Sequence, residues 1–253
     1  MRIASLSPAA TEILFRMDLG GDIVCVDQFS NFPDEAKAIP RVKDHQKISP
    51  DELRTHNPEV VLTETVVQEK LSHLLKSEGF GVIHKDPRTI QQIIETIRQY
   101  GSLFACEDRA EGLVLSIQQG INAVKKRAAL LPSKPKVYVE EWHQPPMASG
   151  NWVPELVRLS GGTPFPIRDG ELSREVSLEE VSAFDPDLLV ISWCGAGSLA
   201  DKTLLEKRPG WDALRVVREN RIRVIDDSLL NRPGPRLVDG AQRLYSWMFE
   251  LLH

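Results

Sequence analysis

The sequence lacks the features that mark several large classes of protein. Its three cysteines, Cys25, Cys106 and Cys194, are an odd number spread along the chain, which excludes a disulfide framework and paired metal ligands. No apolar run reaches the roughly 20 residues that cross a bilayer. The net charge of −5 lacks the basic excess typical of nucleic-acid binders. We therefore expect a soluble globular protein with no membrane span and no nucleic-acid partner, in which Cys25 and Cys194 are buried.

The start of the chain also lacks a signal peptide. Met1 runs directly into a strand-like segment, with no basic region followed by an apolar one. This predicts a cytoplasmic protein. If the sequence is instead a mature form, a periplasmic or other extracytoplasmic location is expected.

Motifs that identify common enzymes are missing as well. The chain has no Walker A loop, no HExxH, no GxSxG and no paired CxxC. Residues 195–200 fit the dinucleotide pattern G-x-G-x-x-A, but the next predicted strand ends only at Asp226, later than the acidic residue that this fingerprint requires about 20 positions on. A loop at a strand end explains the glycines equally well. We do not expect an enzyme or a cofactor.

Short apolar runs alternate with amphipathic stretches, which predicts an α/β fold. Ser7 before Pro8 is a favourable start for the first helix. Strands are predicted at residues 3–6, 23–26, 60–63, 81–84, 136–140, 188–192 and 222–225. Helices are predicted at residues 9–17, 67–77, 89–100, 154–160, 198–206 and 235–251.

One predicted helix is much longer than the others. Residues 107–131 carry apolar side chains spaced by threes and fours, and a turn with two prolines follows. We expect two three-layer α/β lobes joined by this single helix. The lobes would be residues 1–106 and 132–253, with a ligand cleft between them.

The two halves also resemble each other in sequence. A Ser-x-x-Glu box at Ser49/Glu52 leads through a proline turn into the strand at Val60, and a second box at Ser177/Glu180 leads into the strand at Leu188. Each box is typical of the start of a short helix. The same spacing in both halves favours duplicated lobes.

Polar and aromatic side chains follow the predicted strands. In open α/β sheets the ligand lies beyond the carboxyl ends of the strands, where this chain has Glu64, Trp193 and the cluster at residues 140–147. Within that cluster, Glu141, Trp142 and His143 could contact a flat ligand. The same residues could instead hold a metal, act as acid and base, or form a solvated loop.

The run from Asn231 to Arg236 alternates arginine, proline and glycine, which makes it stiff. Arg232 could thereby be held where it meets an anionic group, or it could lie on the surface.

Together these segments resemble a known family. The opening Arg2-Ile3-Ala4-Ser5-Leu6-Ser7-Pro8, the Asn31-Phe32-Pro33 segment, Gly161-Gly162 and Arg232-Pro233-Gly234-Pro235-Arg236 resemble the vitamin B12-binding proteins of ABC importers. The resemblance covers nearly the whole chain. It also extends to the wider class of metal-chelate receptors with a helical backbone, which includes siderophore and haem binders.

The resemblance implies a binding protein that captures a cobalamin-like corrinoid without changing it. Phe29 matches an aromatic ligand contact and Arg232 a basic one. Asp51 and Glu179 match two acidic residues, one in each lobe, that dock on arginines of the permease. The missing signal peptide puts that partnership in question.

The chain departs from the family pattern at the ligand cage. His45 and Glu64 stand where the family has tryptophans, and Ser173 stands near another aromatic position. His45 could ligate the cobalt of a corrinoid. Alternatively, His45 and Glu64 could hold a bare metal together with Glu141 and His143, or the ligand could be another chelate.

Overall fold

The computed structural model describes residues 1–44 and 46–253, and in it strands alternate with helices and form one parallel and one mixed sheet, so the predicted α/β class is confirmed. The strands are β1 Ile3–Ser5, β2 Ile23–Val26, β3 Val60–Glu64, β4 Val82–Lys85, β5 Lys136–His143, β6 Pro146–Ala148, β7 Thr163–Pro164, β8 Arg174–Glu175, β9 Leu188–Ile191 and β10 Ile222–Val224. The helices are α1 Pro8–Arg16, α2 Pro50–Thr55, α3 Glu69–Ser77, α4 Ile90–Leu103, α5 Glu107–Ala128, α6 Val153–Leu159, α7 Leu178–Phe184, α8 Thr203–Glu206, α9 Arg215–Arg218 and α10 Leu237–Leu252.

The chain folds into two compact units. Unit 1 comprises Met1–Pro87 and Gln91–Leu115, and unit 2 comprises Arg88–Ile90 and Ser116–His253. The long helix predicted for residues 107–131 is present as α5, and the division between the units falls inside it. None of the helices in the described part of the chain is long and apolar enough to cross a bilayer.

Unit 1 contains a parallel sheet in the order β2-β1-β3-β4. Every residue of β1 and β3 is buried, because helices cover a parallel sheet on both faces. The core beneath it is built from small and branched side chains: Ala4, Leu6, Cys25, Val42, Ile48, Leu53, Val61, Leu71 and Leu75.

Unit 2 contains a mixed sheet. Its parallel part has the order β10-β9-β5, and β7 also pairs with β5 in parallel. The antiparallel strands β6 and β8 extend the other side of β5. The sequence predicted neither β6 nor β8, because Pro146 and the charged pair of β8 do not read as strand residues.

Backbone contacts confirm that the two units repeat one design. The amide of Glu59 donates to Arg2 O at 2.8 Å, and its carboxylate accepts from the Arg2 amide at 2.7 Å. The amide of Asp187 donates to Lys136 O at 2.8 Å, and its carboxylate accepts from the Lys136 amide at 2.8 Å. In each unit the same clamp therefore joins the first strand to the strand beside it.

The two predicted capping boxes differ in outcome. At α7 the Ser177 hydroxyl accepts from the Glu180 amide, and the Glu180 carboxylate accepts from the Ser177 amide. At α2 the Ser49 side chain makes no capping bond. The prediction fails there because the Glu52 carboxylate accepts from the Lys43 amide instead, at 3.2 Å.

The segment after β9 corrects two further predictions. Residues 198–206 do not form one helix, because the amides of Gly195 and Gly197 donate to the Asp227 carboxylate at 3.0 and 2.8 Å and hold the chain in a loop. A 3-10 turn, Gly197–Leu199, precedes the short α8. Since those amides are occupied, the loop does not offer a phosphate cradle. Cys194, predicted to be buried, is exposed in this loop.

Candidate functional site

In unit 1 the first candidate position is the carboxyl end of β3. Glu64 is only 2% exposed, and its carboxylate accepts from the Ser7 hydroxyl at 2.5 Å and from the Tyr100 hydroxyl at 3.1 Å. Burial raises the pKa of Glu64 to about 7, and the two hydroxyl donors offset part of that effect. This carboxyl can therefore exchange a proton near neutral pH.

Phe29 lies on a loop after β2 that polar contacts hold in place. The Arg41 guanidinium donates to the carbonyls of Asp27, Gln28 and Ser30 at 2.8 to 3.1 Å. The buried Asp27 carboxylate accepts from the Phe29 amide at 3.2 Å and from the Ser30 hydroxyl. The Phe29 ring is 37% exposed at the end of this braced loop. His45, the other predicted site residue of this unit, lies outside the described residues.

In unit 2 the cluster predicted as a loop after a strand is part of a hairpin. β5 pairs with β9 only as far as Glu140, and beyond it Trp142 and His143 pair with Met147 and Pro146 of β6. We call residues 141–147 the hairpin arm. The arm carries three of the predicted site residues past the end of β9.

Aromatic rings are stacked along the hairpin arm. The Trp142 ring is 42% exposed and lies nearly parallel to the His143 ring, with 6.0 Å between centroids and 26° between planes. The His143 ring also contacts Trp193, with centroids 4.8 Å apart. Trp193 itself is 4% exposed and belongs to the core of unit 2. Trp142 is thus the exposed ring, His143 lies half-buried beside it, and Trp193 backs both from within the unit.

A buried ion pair anchors the base of the hairpin arm. Glu140 is fully buried, and Arg208 donates to both of its carboxylate oxygens, at 2.9 and 2.8 Å. Tyr138 OH and Trp193 Nε1 each donate to the same carboxylate at 3.0 Å. Arg208 also donates to the His143 carbonyl at 2.9 Å. Bidentate arginine–carboxylate pairs are geometrically specific, so this contact fixes where the arm leaves the sheet.

Sequence reasoning missed Arg208. It lies 68 residues from Glu140, just after α8, and no local pattern links the two. The only available signal was indirect, because a glutamate in a strand that is otherwise apolar requires a buried partner.

Glu141 is bound by a serine from another strand end. The Ser173 hydroxyl donates to the Glu141 carboxylate at 2.5 Å and accepts from the Gly150 amide at 2.9 Å. Burial raises the pKa of Glu141, and the bond from Ser173 opposes that shift. Ser173, which stands near an aromatic position of the resembled family, here supports the hairpin arm.

The arginine-rich run near the C-terminus lies against the end of β9. Asn231 donates to Ser192 O at 2.6 Å and to the Cys194 sulfur at 3.3 Å. Arg232, the next residue, is half-buried. The structure therefore brings Arg232 close to the carboxyl end of the sheet in unit 2.

The two predicted docking acids occupy equivalent, exposed places. Asp51 lies in the first turn of α2 and Glu179 in the first turn of α7. Asp51 pairs with Arg54 one turn later at 2.7 Å. The pKa of Glu179 is lowered by backbone hydrogen bonding at the helix start. Both carboxylates are available on the surface of their own unit.

Metal ligation by side chains alone finds no support in the described part of the chain. Residues 1–44 and 46–253 contain no group of three or more His, Cys, Asp or Glu side chains that could hold a metal ion.

The chain matches known proteins over almost its full length. The family model described as periplasmic binding protein matches residues 3–229. A vitamin B12-binding protein of Vibrio cholerae is 25% identical, over 98% of this chain and 88% of that protein. An uncharacterised ABC transporter substrate-binding lipoprotein of Bacillus subtilis is 23% identical, over 96% of this chain and 78% of that protein.

A solved structure shares the fold at lower identity. A periplasmic haem-binding protein of Roseiflexus superposes with a TM-score of 0.87 at 22% identity, covering 100% of this chain and 99% of that one. At this identity the likeness establishes the fold.

Proposed function

Because the chain belongs to the periplasmic binding protein family, we propose that it captures a planar metal chelate, with a cobalamin-like corrinoid as the leading ligand. It is a binding protein rather than an enzyme, as are the relatives it matches. One relative is named an ABC transporter substrate-binding lipoprotein. That name supports an extracytoplasmic location, the second of the two predicted locations, and a permease of the ABC type as the partner.

The observation that carries the ligand class is the pair of stacked rings on the hairpin arm, the exposed Trp142 and the half-buried His143. Trp142 and His143 lie nearly parallel, and Arg208 fixes the arm that carries them. Flat ligands gain both apolar burial and ring stacking against such a surface. Preorganised side chains also lose less entropy on binding than mobile ones do.

The other predicted contacts complete the proposal. Phe29 offers an exposed ring, and Arg232 a cation for an anionic substituent of the ligand. His45, Glu64, Glu141 and Trp193 stay predicted contacts. Asp51 and Glu179 are the proposed docking residues for the permease.

A second candidate ligand is haem or an iron chelate of the siderophore type. The overall likeness to a haem-binding protein supports it, and a flat porphyrin would use the same rings. The two candidates differ in the metal and in the side groups of the macrocycle, so a direct comparison of ligands separates them.

Isothermal titration of metal-stripped protein with cyanocobalamin, aquocobalamin and ferric haem tests the proposal. We expect saturable one-to-one binding of a corrinoid. Trp142→Ala should weaken it by about 2 kcal/mol, roughly 30-fold in Kd, as truncating a central aromatic contact does.

Phe249→Ala is the matched control. Phe249 is 44% exposed and stacks on His253, but it lies on α10. Its removal should leave the affinity unchanged. Binding of haem alone would transfer the proposal to the second candidate, and binding of none of the three chelates would refute it.

A further inference from the structure

The second half of α5 and the turn that follows it carry charge of one sign only. Between Glu111 and Glu140 the sequence contains no acidic residue, although the whole chain has a net charge of −5. The same stretch contains five cations, all exposed: Lys125, Lys126, Arg127, Lys134 and Lys136. In the described part of the chain, no acidic side chain forms an ion pair with any of the five. This end of unit 2 is therefore locally basic on an acidic protein.

A leucine protrudes among these cations. Leu130, in the turn after α5, is 83% exposed. The helix dipole favours cations in the last turn of a helix, but it does not account for an exposed leucine beside them. Because this side chain stays in water when the chain folds, its apolar surface contributes little to the stability of the protein. It is available to a partner that offers an apolar environment.

The last helix, α10, brings aromatic rings to the same end of α5. Gly120 lets Val238 approach α5 closely, since a Cβ at position 120 would overlap a Val238 methyl group. Seven residues further along both helices, the Arg127 guanidinium lies 5.0 Å from the centre of the Tyr245 ring. The two helices therefore run side by side in the same direction. Phe249, 44% exposed, lies one turn beyond Tyr245, with 6.1 Å between the ring centroids.

Cations and apolar groups thus share one surface of unit 2, which we call the basic-apolar patch: Lys125, Lys126, Arg127, Leu130, Lys134, Tyr245 and Phe249. Residues 245–253 of α10 and its end add one acidic side chain, Glu250. Cations beside exposed leucine and aromatic side chains suit a bilayer with anionic headgroups, which offers phosphates and an apolar layer together. A nucleic acid would satisfy the cations but would leave Leu130 in water.

The net negative charge of the protein does not oppose such an encounter strongly. At about 0.1 M salt, charges further than roughly 10 Å from the membrane are screened. The cations of the patch lie at the contact itself, so their attraction outweighs the repulsion of more distant carboxylates. Each cation close to an anionic membrane strengthens binding about fivefold.

We propose that the basic-apolar patch docks the protein on anionic lipid headgroups at a membrane surface. Lys125, Lys126 and Arg127 bind headgroup phosphates, and Leu130 and Phe249 enter the boundary between headgroups and acyl chains. The attachment is peripheral and reversible, and it does not depend on which ligand the protein captures. It raises the concentration of the protein next to a membrane-bound permease.

Cosedimentation of the full chain with lipid vesicles tests this docking. We expect the protein to bind vesicles made of equal parts phosphatidylglycerol and phosphatidylcholine, and not vesicles of phosphatidylcholine alone. Binding should weaken steeply at about 0.5 M salt, because the Debye length shortens.

The triple variant Lys125→Gln, Lys126→Gln, Arg127→Gln should bind the anionic vesicles about 100-fold more weakly, since it removes three cations. Its matched control is Lys70→Gln, Lys76→Gln, Arg218→Gln. These three side chains are exposed and lie on α3 and α9, outside the patch, and their removal changes the net charge by the same amount. The control should bind within about twofold of the wild type.

Leu130→Ser separates a lipid surface from polyanions in general. Loss of one leucine from the membrane boundary should weaken vesicle binding about tenfold. Since Leu130 is exposed, the variant should melt at the temperature of the wild type. Leu199→Ser is the control, because Leu199 is 89% exposed in the loop after β9 and lies outside the patch. Its vesicle binding should not change.

Three results would overturn the docking surface. One is wild-type protein that does not bind anionic vesicles. Another is an equal loss of binding in the two triple variants, which would mean that net charge and not the patch governs binding. The third is unchanged vesicle binding by Leu130→Ser together with equally tight binding of the wild type to double-stranded DNA, which would assign the patch to polyanions and not to lipid.

Discussion

At the scale of single residues, the buried Glu64 and Glu140 and the half-buried Glu141 show how hydrogen-bond partners determine the properties of a carboxyl group. Glu140 faces the Arg208 cation, and the pair forms a fixed anchor. Glu64 and Glu141 accept hydrogen bonds from the hydroxyls of Ser7 and Ser173, and neither forms an ion pair within residues 1–44 and 46–253. Hydroxyl donors compensate burial only in part, so the pKa of each of these two carboxyls is raised.

The raised pKa of Glu64 makes stability depend on pH. The folded state holds this proton up to about pH 7, whereas the unfolded state releases it near the ordinary value of 4.5. Stability from this group is therefore complete below pH 4.5 and is lost as pH rises to 7, by about 3 kcal/mol at most. Glu64→Gln should remove that loss, since the amide stays neutral.

Thermal melting of wild type and Glu64→Gln at pH 5 and pH 8 measures the effect. The variant should gain stability relative to the wild type on going to pH 8. Glu69→Gln is the control, because Glu69 is an exposed glutamate at the start of α3. A constant difference between Glu64→Gln and wild type at the two pH values would show that Glu64 does not titrate in this range.

At the scale of elements, α2 and α7 show that one sequence pattern can have two structural outcomes. Both begin at a serine followed three residues later by a glutamate. Only Ser177 forms the reciprocal bonds of a capping box. At α2, the Glu52 carboxylate instead accepts a hydrogen bond from the amide of Lys43.

The pair gives a prediction with its own internal control. Ser177→Ala should lower the free energy of unfolding by about 1 kcal/mol, because it leaves the Glu180 amide unpaired. Ser49→Ala should lower the free energy of unfolding by only a few tenths of a kcal/mol, since the Ser49 side chain makes no capping hydrogen bond. Urea unfolding of both variants measures the difference, and equal losses would contradict the assigned caps.

At the scale of the whole molecule, the duplicated design gives two equivalent surface acids. Asp51 and Glu179 stand at the same place in their units, each in the first turn of the helix that precedes a central strand. We propose that both carboxylates dock on the permease. Charge complementarity of this kind mainly affects association.

Asp51→Ala and Glu179→Ala should each weaken association with the permease roughly tenfold, about 1.4 kcal/mol, and leave chelate affinity unchanged. The measurement is ATP hydrolysis by an ABC permease that the wild-type protein stimulates in liposomes. Glu69→Ala provides the control, because Glu69 is an exposed acid in the first turn of α3. If a variant that carries both substitutions stimulates ATP hydrolysis as strongly as the wild type does, these two residues do not take part in docking.

Local sequence patterns were enough to predict most of the fold. The strand cores at residues 60–63, 136–140 and 188–192 are short, apolar and rich in branched side chains, and burial on both faces follows from that composition. The long helix and the duplication of the two units could also be predicted, because each rests on a pattern that recurs along the chain. The hairpin after Glu140 was not, because Pro145 and Pro146 masked the strand that follows.

The candidate site could be predicted by residue type but not by arrangement. Trp142 and His143 were identified as aromatic and polar side chains near a strand end. The rings stack just beyond a shift in strand register between Glu140 and Trp142, and Trp193 lies in the core behind them. No spacing rule reveals either feature.

The sequence by itself determined the fold class, the long helix, the repeated units and the family, because each of these is carried by periodicity or by motifs within a short stretch of chain. The tertiary structure alone decided which glutamate is anchored by Arg208, which one keeps a proton near neutral pH, and which aromatic rings contact the imidazole of His143. Those properties depend on partners many residues apart, and burial and hydrogen bonding at such distances arise only when the chain has folded.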